Sequence, residues 1–158
     1  MAIDYQLKLA APVSADDAVA VLRPLGLPGH ELHRDGALRS LSIPGLLVIA
    51  GPPTPSPFKL VLEAFGFDPR LGVTFVWDRE ADYPTMAGSL VRAAGALLRA
   101  LPGDAVLLSN HEQPLLLRRG GGIELTTWEG WWTNPHVQPA LTAQLGLPHR
   151  FRFMPLAW

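Results

Sequence analysis

The sequence contains no cysteine, and this absence removes several classes of functional site. Without thiols there is no disulfide framework, no thiol nucleophile and no cysteine-bound zinc. The sequence also has no excess of basic charge, because 13 lysine and arginine residues are balanced by 14 acidic residues. A general nucleic-acid-binding protein would show a basic footprint. We therefore expect no nucleic-acid partner.

Long hydrophobic runs are missing as well. The best candidate, residues 43–51, contains Pro44 and Gly45 and is far shorter than the roughly 20 apolar residues that a membrane-spanning helix needs. The first residues, Met1 to Tyr5, lack a basic segment followed by an apolar run, so we expect no secretory signal. These absences predict a cytoplasmic protein without a membrane partner.

Apolar residues make up 48% of the 158 positions, close to the average of globular proteins. A chain of this length fits one domain. We therefore predict a single domain over residues 1–158, with a continuous hydrophobic core.

Local patterns predict the main elements. Residues 3–9 alternate apolar and polar side chains, which is typical of a half-buried strand. Ser14 is a predicted N-cap, followed by Asp16 and Asp17 in the first turn of a short helix. The longest helix is predicted to begin near Pro84 and to end at Leu101. Its apolar spacing predicts that one side faces the sheet: Leu90, Val91, Ala94, Leu97, Leu98 and Leu101.

Glycines and prolines add further expectations. Gly88 and Gly95 lie on one side of the long helix and would permit its close approach to a sheet. Residues 120–122 are three glycines between two strand patterns, which indicates a hairpin and not a nucleotide loop. A short helix is predicted from Asn134 to about Leu145. Residues 58–67 fit either a helix or a strand.

The predicted element order is β-α-β-β-β-α-β-β-β-α-β. This order favours the α+β class. We expect a single, mostly antiparallel sheet with two main helices packed on one face and a short C-terminal helix.

The most concentrated feature is an aromatic segment, residues 128–132, which holds three of the five tryptophans. Such a cluster serves either as a core anchor or as a binding surface, where tryptophan is over-represented among hot spots. Trp131 and Trp132 cannot both point inward if they continue a strand, because successive side chains alternate faces. We therefore predict that at least one of Trp128, Trp131 and Trp132 is partly exposed and contacts a partner, together with Glu129.

A second feature is an acidic run, in which Asp78, Glu80 and Asp82 are separated by Arg79 and Ala81. Such a run is usually a solvated surface, because isolated surface charges contribute little. The alternative interpretation is a patch that meets a basic partner, and we carry these three acids as candidate partner-binding residues.

Catalytic motifs are weak. His30 and His33 lack the accompanying acid of a metal-binding helix motif, and no G-x-S-x-G elbow is present. Paired carboxylates need only spatial closeness, so Asp78, Glu80, Glu112 or Glu129 could combine in glycoside chemistry. Glu129 is the best such candidate, because aromatic faces stack on sugars and apolar surroundings raise a carboxyl pKa. A small hydrolase or sugar-binding enzyme centred on Glu129 and the tryptophans is therefore the alternative function.

Several segments occur in an order that is typical of one family. The strand of residues 3–9 and the Ser-capped helix precede V-T-F-x-W-D (73–78), L-R-A-L-P-G-D-A-V-L-L (98–108), L-L-L-R-R-G-G (115–121), W-W (131–132) and L-x-x-x-L-G-L-P (141–148). This order resembles the immunity proteins of the Sit (swarming-inhibition toxin) type, in particular a family common in actinobacteria and myxobacteria.

The resemblance implies a cytoplasmic protein that binds a cognate bacterial toxin and blocks it by occlusion. It implies no catalytic residue, no metal, no cofactor and no small-molecule substrate.

Overall fold

The structure is a computed structural model of the chain. It describes residues 4–30, 32–53, 65–110, 113–137 and 139–152, and for Trp128 and Glu129 it describes the backbone alone. The prediction for residues 58–67 therefore falls largely outside the described residues.

The described residues form strands, α-helices and two short 3-10 helices. The 3-10 helices cover Arg23–Leu25 and Trp128–Thr133. The α-helices are α1 (Ala15–Leu22), α2 (Tyr83–Ala100) and α3 (Leu141–Leu145). The strands are β1 (Asp4–Leu9), β2 (His33–Asp35), β3 (Leu38–Ile43), β4 (Leu46–Gly51), β5 (Leu71–Trp77), β6 (Ala105–Ser109), β7 (Gln113–Arg119), β8 (Gly122–Thr126) and β9 (Arg150–Arg152).

All nine strands join one mixed sheet in the order β2-β3-β4-β5-β1-β6-β7-β8-β9. Strands β8 and β9 are parallel, and the other neighbouring pairs are antiparallel. One sheet with helices confirms the α+β class. The predicted element order lacked β2, whose three residues are all exposed and give no apolar signal. The helical segments also differ, since the described residues include the two 3-10 helices.

Helix α1 begins as its sequence predicts. The Asp17 backbone N–H donates to Ser14 Oγ (3.3 Å), and the Ser14 backbone N–H donates to Asp17 Oδ2 (3.0 Å). This reciprocal capping box satisfies two donors that a helix start would otherwise leave unpaired. Ala18, Val19 and Leu22 are buried on the inner side of the helix.

Helix α2 is the central helix of the core. The six predicted inward residues, five of them within α2 and Leu101 directly after it, are all buried. The prediction for its glycines is wrong, because Gly88 and Gly95 face α3 and not the sheet. A Cβ on Gly95 would lie 2.5 Å from the Leu145 carbonyl oxygen, and one on Gly88 would lie 2.6 Å from Gln144 Oε1. These glycines therefore let α3 pack directly on α2.

The glycine hairpin is confirmed. Strands β7 and β8 pair on either side of it, and Gly120 and Gly121 have φ values of 56° and 84°. Glycine adopts this left-handed region without the steric cost that a Cβ would bring. A tight turn of this kind can therefore close the two strands.

The helix predicted from Asn134 to Leu145 is wrong in its first half. Asn134 starts a turn, in which its carbonyl and side-chain oxygens accept from Val137 and His136. Pro139 follows, and a proline disfavours helical backbone in the residue before it. Helix α3 begins after this proline and ends at Gly146, whose φ is 65°.

The sheet has a first face and a second face, which carry different hydrophobic clusters. Residues from α1, α2 and α3 share the main hydrophobic core with inward residues of the strands, among them Leu7, Val48 and Phe75. On the second face, a smaller cluster joins β6 and β7 to the segment before β5: Phe65, Phe67, Val106, Leu108 and Leu117. Among the described residues, no helix is both long enough and apolar enough to cross a membrane.

Candidate functional site

The acidic run forms a tight turn, residues 78–82, between β5 and α2. The Asp78 backbone N–H donates to the Gly45 carbonyl oxygen (3.0 Å), and the Ala81 backbone N–H donates to the Asp78 carbonyl oxygen (2.9 Å). These bonds fix the turn against the loop between β3 and β4. Asp78, Glu80 and Asp82 are all exposed. We call residues 78–82 the acidic turn.

Two of the three acids also hold the local backbone. Asp78 Oδ1 accepts from the Glu80 backbone N–H (3.1 Å), and Asp82 Oδ1 accepts from the Thr85 backbone N–H (2.7 Å) as the N-cap of α2. Hydrogen bonds from the Thr85 side chain and backbone lower the pKa of Asp82. The Glu80 carboxylate makes no hydrogen bond or ion pair with another described residue, and Glu80 is exposed, so its charge faces solvent.

The aromatic segment has a different environment. Trp131 is 8% exposed and Trp132 is 1% exposed. The Trp132 indole N–H donates to the Leu115 carbonyl oxygen (2.6 Å), and the two indole rings meet edge to face with centroids 4.9 Å apart. Trp132 is buried with its indole N–H satisfied, which is the geometry of a core anchor.

Both tryptophans point inward because the backbone here is helical. Trp128–Thr133 is a 3-10 helix, in which successive side chains do not alternate between two faces as they do in a strand. The premise of a continuing strand is therefore wrong. The side chains of Trp128 and Glu129 lie outside the described residues, so their predicted contact with a partner stays a prediction.

Aromatic residues lie beside both the acidic turn and the buried tryptophans. The Trp77 indole N–H donates to the Ala81 carbonyl oxygen (3.1 Å), and the Trp77 and Tyr83 rings meet edge to face at 5.8 Å. Tyr5 meets Trp131 edge to face at 6.1 Å. Trp77 and Tyr83 were not predicted as site residues from the sequence, although their positions directly beside the acids could have indicated them.

Burial is the largest cause of the raised pKa values of Tyr5 and Tyr83. It raises the pKa of Tyr5 to about 12, and the nearby Trp131 indole partly opposes this rise. That indole N–H nevertheless makes no well-aligned hydrogen bond among the described residues. Burial also raises the pKa of Tyr83, and a hydrogen bond from Asn134 opposes it. Both hydroxyls therefore stay protonated at neutral pH and do not supply a general base.

Arg118 is a buried polar residue that was not predicted from the sequence. The Arg118 guanidinium donates to the carbonyl oxygens of Gly103 (2.7 Å), Leu98 (2.5 Å) and Leu101 (2.5 Å). These carbonyls belong to the end of α2 and the residues that follow, where helix carbonyls lack partners. Burial lowers the pKa of Arg118, and the Asp104 carboxylate opposes this effect. Arg118 therefore holds β7 to the end of α2.

The structure does not assemble the candidate catalytic groups within its described part. Asp78 and Glu80 are solvated on the acidic turn, whereas Glu112 and the Glu129 side chain lie outside the described residues. His30, His33, His136 and His149 are exposed. Among the described residues, no three histidine or acidic side chains come together as a metal site.

Comparison with known proteins assigns the chain to one family. The family model described as SitI3-like matches residues 3–136. The chain belongs to the SitI3-like family. This is a family of the immunity type, and the match runs from β1 through the buried tryptophans to the turn after them. No curated protein matches the chain, and no solved structure matches it.

Proposed function

We propose that this SitI3-like chain is an immunity protein that binds a cognate bacterial toxin in the cytoplasm and neutralises it by occlusion. The observation that carries the proposal is the family match over residues 3–136. The sheet uses strands from Asp4 to Arg152, which supports treating residues 1–158 as a single domain. An origin in actinobacteria or myxobacteria stays a prediction.

The exposed acids provide a physical means of attracting a toxin. Asp78, Glu80 and Asp82 project from one turn, and charges of one sign raise the rate at which an oppositely charged partner associates. A toxin with a basic surface would therefore be steered toward the acidic turn. Trp131 and Trp132 are buried, so they leave little area for direct contact with a partner.

Co-expression tests the proposal. The chain is expressed together with the toxin encoded by the neighbouring reading frame, and growth is compared with that of cells that carry the toxin alone. We expect the chain to restore growth. A destabilised control uses Trp132→Ala, which should protect less because a smaller fraction of the chain is folded. Toxin-dependent growth arrest that persists at equal expression of the folded wild-type chain would contradict the proposal.

A further inference from the structure

The second face of the sheet is divided into a covered half and an open half. On the covered half, Val106, Leu108 and Leu117 are buried with Phe65 and Phe67. The open half belongs to three neighbouring strands and carries apolar and small polar side chains. We call it the open patch: Leu38 and Ser40 of β3, Leu47 and Ile49 of β4, and Thr74 and Val76 of β5.

Strand register places these side chains together. Ile49 is the Cα partner of both Ser40 and Thr74, and Leu47 is the Cα partner of Val76. Paired residues in a sheet share a face. Leu38 lies over Gly51, because a Cβ built on that glycine would meet the Leu38 side chain. The patch is therefore one continuous surface that spans β3, β4 and β5.

The open patch exposes large apolar side chains. Leu38 is 43% exposed and Leu47 is 41% exposed, while the other four members are half-buried. Across the described residues, the remaining exposed large hydrophobic side chain is Phe151 (47%) on edge strand β9. Grouped apolar exposure of this kind marks an interaction surface more often than scattered single residues do.

Acidic groups lie at two ends of the open patch. Asp4 is the Cα partner of Val76, and Asp35 is the Cα partner of Leu38. The acidic turn is hydrogen-bonded to Gly45, in the loop that joins β3 to β4, and it directly follows β5. The patch is thus an uncharged centre with acidic groups at both ends, and the basic groups near it are Arg79 of the acidic turn, His33 opposite Ser40 and the buried Lys8 of β1. Interfaces commonly combine an apolar centre with a polar rim.

We propose that the toxin docks on the open patch through a surface with an apolar centre and basic groups around it. This inference rests on the proposed function and specifies its surface. Charge favours such a toxin over a second copy of this chain, because a symmetric dimer would place the same acidic margins against each other. The acidic turn then steers association, and Leu38 and Leu47 supply the buried contact.

Arginine substitutions on the patch test this inference. The purified toxin of the neighbouring reading frame is the probe, and its Kd for each folded variant is measured by surface plasmon resonance. We expect Leu47→Arg and Thr74→Arg each to weaken binding by about tenfold or more, because each places a cation against a basic partner. Phe151→Arg is the control, since it also introduces an arginine at an exposed apolar residue, on β9 at the far edge of the sheet. It should leave Kd within about twofold.

Each outcome has one meaning. If Leu47→Arg does not fold, Thr74→Arg decides the question, since it removes no large apolar side chain. Wild-type affinity in the folded variants would overturn the docking surface while leaving the proposed function intact. A wild-type dimer in sedimentation that Leu47→Arg disrupts, with toxin binding unchanged, would also overturn it. A wild-type chain that neither binds the toxin nor protects cells would overturn the proposed function and the inference together.

Discussion

The two segments that the sequence marks for recognition occupy opposite environments. Trp131 and Trp132 are buried in the main core, and one of them is hydrogen-bonded to the backbone of β7. The acidic turn is exposed at the start of α2. The most hydrophobic candidates thus serve stability, whereas the charged candidates remain available to a partner.

This difference follows from backbone geometry as much as from hydrophobicity. A strand through residues 131–132 would have placed one indole outside, and a 3-10 helix places both inside. The acidic turn stays exposed because its carboxylates accept backbone hydrogen bonds locally, at Glu80 and Thr85, and need no buried partner. A dense aromatic segment is therefore not by itself a recognition surface.

The largest expected effect is a loss of stability at a buried tryptophan. Trp132→Ala should lower the free energy of unfolding by about 3–5 kcal/mol, because it opens a cavity and removes the indole hydrogen bond to the Leu115 carbonyl. Trp132→Phe should cost less, since it retains an aromatic ring. Chemical denaturation measures both. Equal stability of Trp132→Ala and the wild type would show that the indole is not a core anchor.

A second core residue gives a comparison for the stability cost of Trp132→Ala. Leu97 is fully buried on α2. Leu97→Ala should therefore cost about 2–5 kcal/mol. Leu38→Ala removes the same atoms from an exposed position and should cost much less. Thermal and chemical melts compare the two variants, and a similar loss in both would show that burial does not set the cost.

The acidic turn should contribute less to the free energy of unfolding than the buried residues do, through Asp82 as the N-cap of α2. Asp82→Ala should lower Tm slightly, and Asp82→Asn should retain most of the stability, because asparagine is also a good N-cap. Since the folded state lowers the pKa of Asp82, its stabilisation is present above the ordinary carboxyl pKa and is lost as pH falls through the lowered value. Melts of wild type and Asp82→Asn between neutral and acidic pH check the sign. A wild-type advantage that grows on acidification would contradict it.

Glu80 should affect the rate of association and not stability. Glu80→Gln removes a solvated charge, so toxin association should slow at low salt and approach the wild-type rate at high salt. Asp68→Asn makes a similar change near the start of β5, at the opposite end of that strand. Stopped-flow mixing compares the two, and equal slowing in both would indicate an effect of net charge alone.

The smallest expected effect concerns Glu129. In a binding protein, Glu129→Gln should leave protection largely unchanged apart from any local contact. An enzyme that uses this carboxyl as acid or base would lose on the order of 10²–10⁴ in rate. Growth protection and hydrolytic activity are measured on the same variant. A reproducible hydrolysis that this substitution removes would favour the enzyme interpretation.

Short-range patterns predicted much of the fold. Strand β1, the Ser14-capped α1, the inward face of α2 and the glycine hairpin depend on periodicity, capping and turn geometry within a few residues. Such signals are present in the local sequence itself. The α+β class followed from the order of these elements.

The remaining features depend on partners that are distant in the sequence. Gly88 and Gly95 accommodate α3, which lies about 50 positions further along the chain. Arg118 binds carbonyls at the end of α2, and Trp132 binds a carbonyl of β7. The open patch emerges only when strand register places Leu47 beside Val76. Local sequence carries no information on such pairings.

A titration of toxin activity tests the central claim most directly. A fixed amount of purified toxin is mixed with increasing amounts of the folded chain, and residual toxin activity is measured at each ratio. Neutralisation by occlusion predicts that activity falls in proportion to the added chain and reaches its minimum at a fixed stoichiometric ratio. Complete loss of activity at a small fraction of that ratio would indicate turnover, and full activity at excess chain would indicate no binding. Either result would contradict the account.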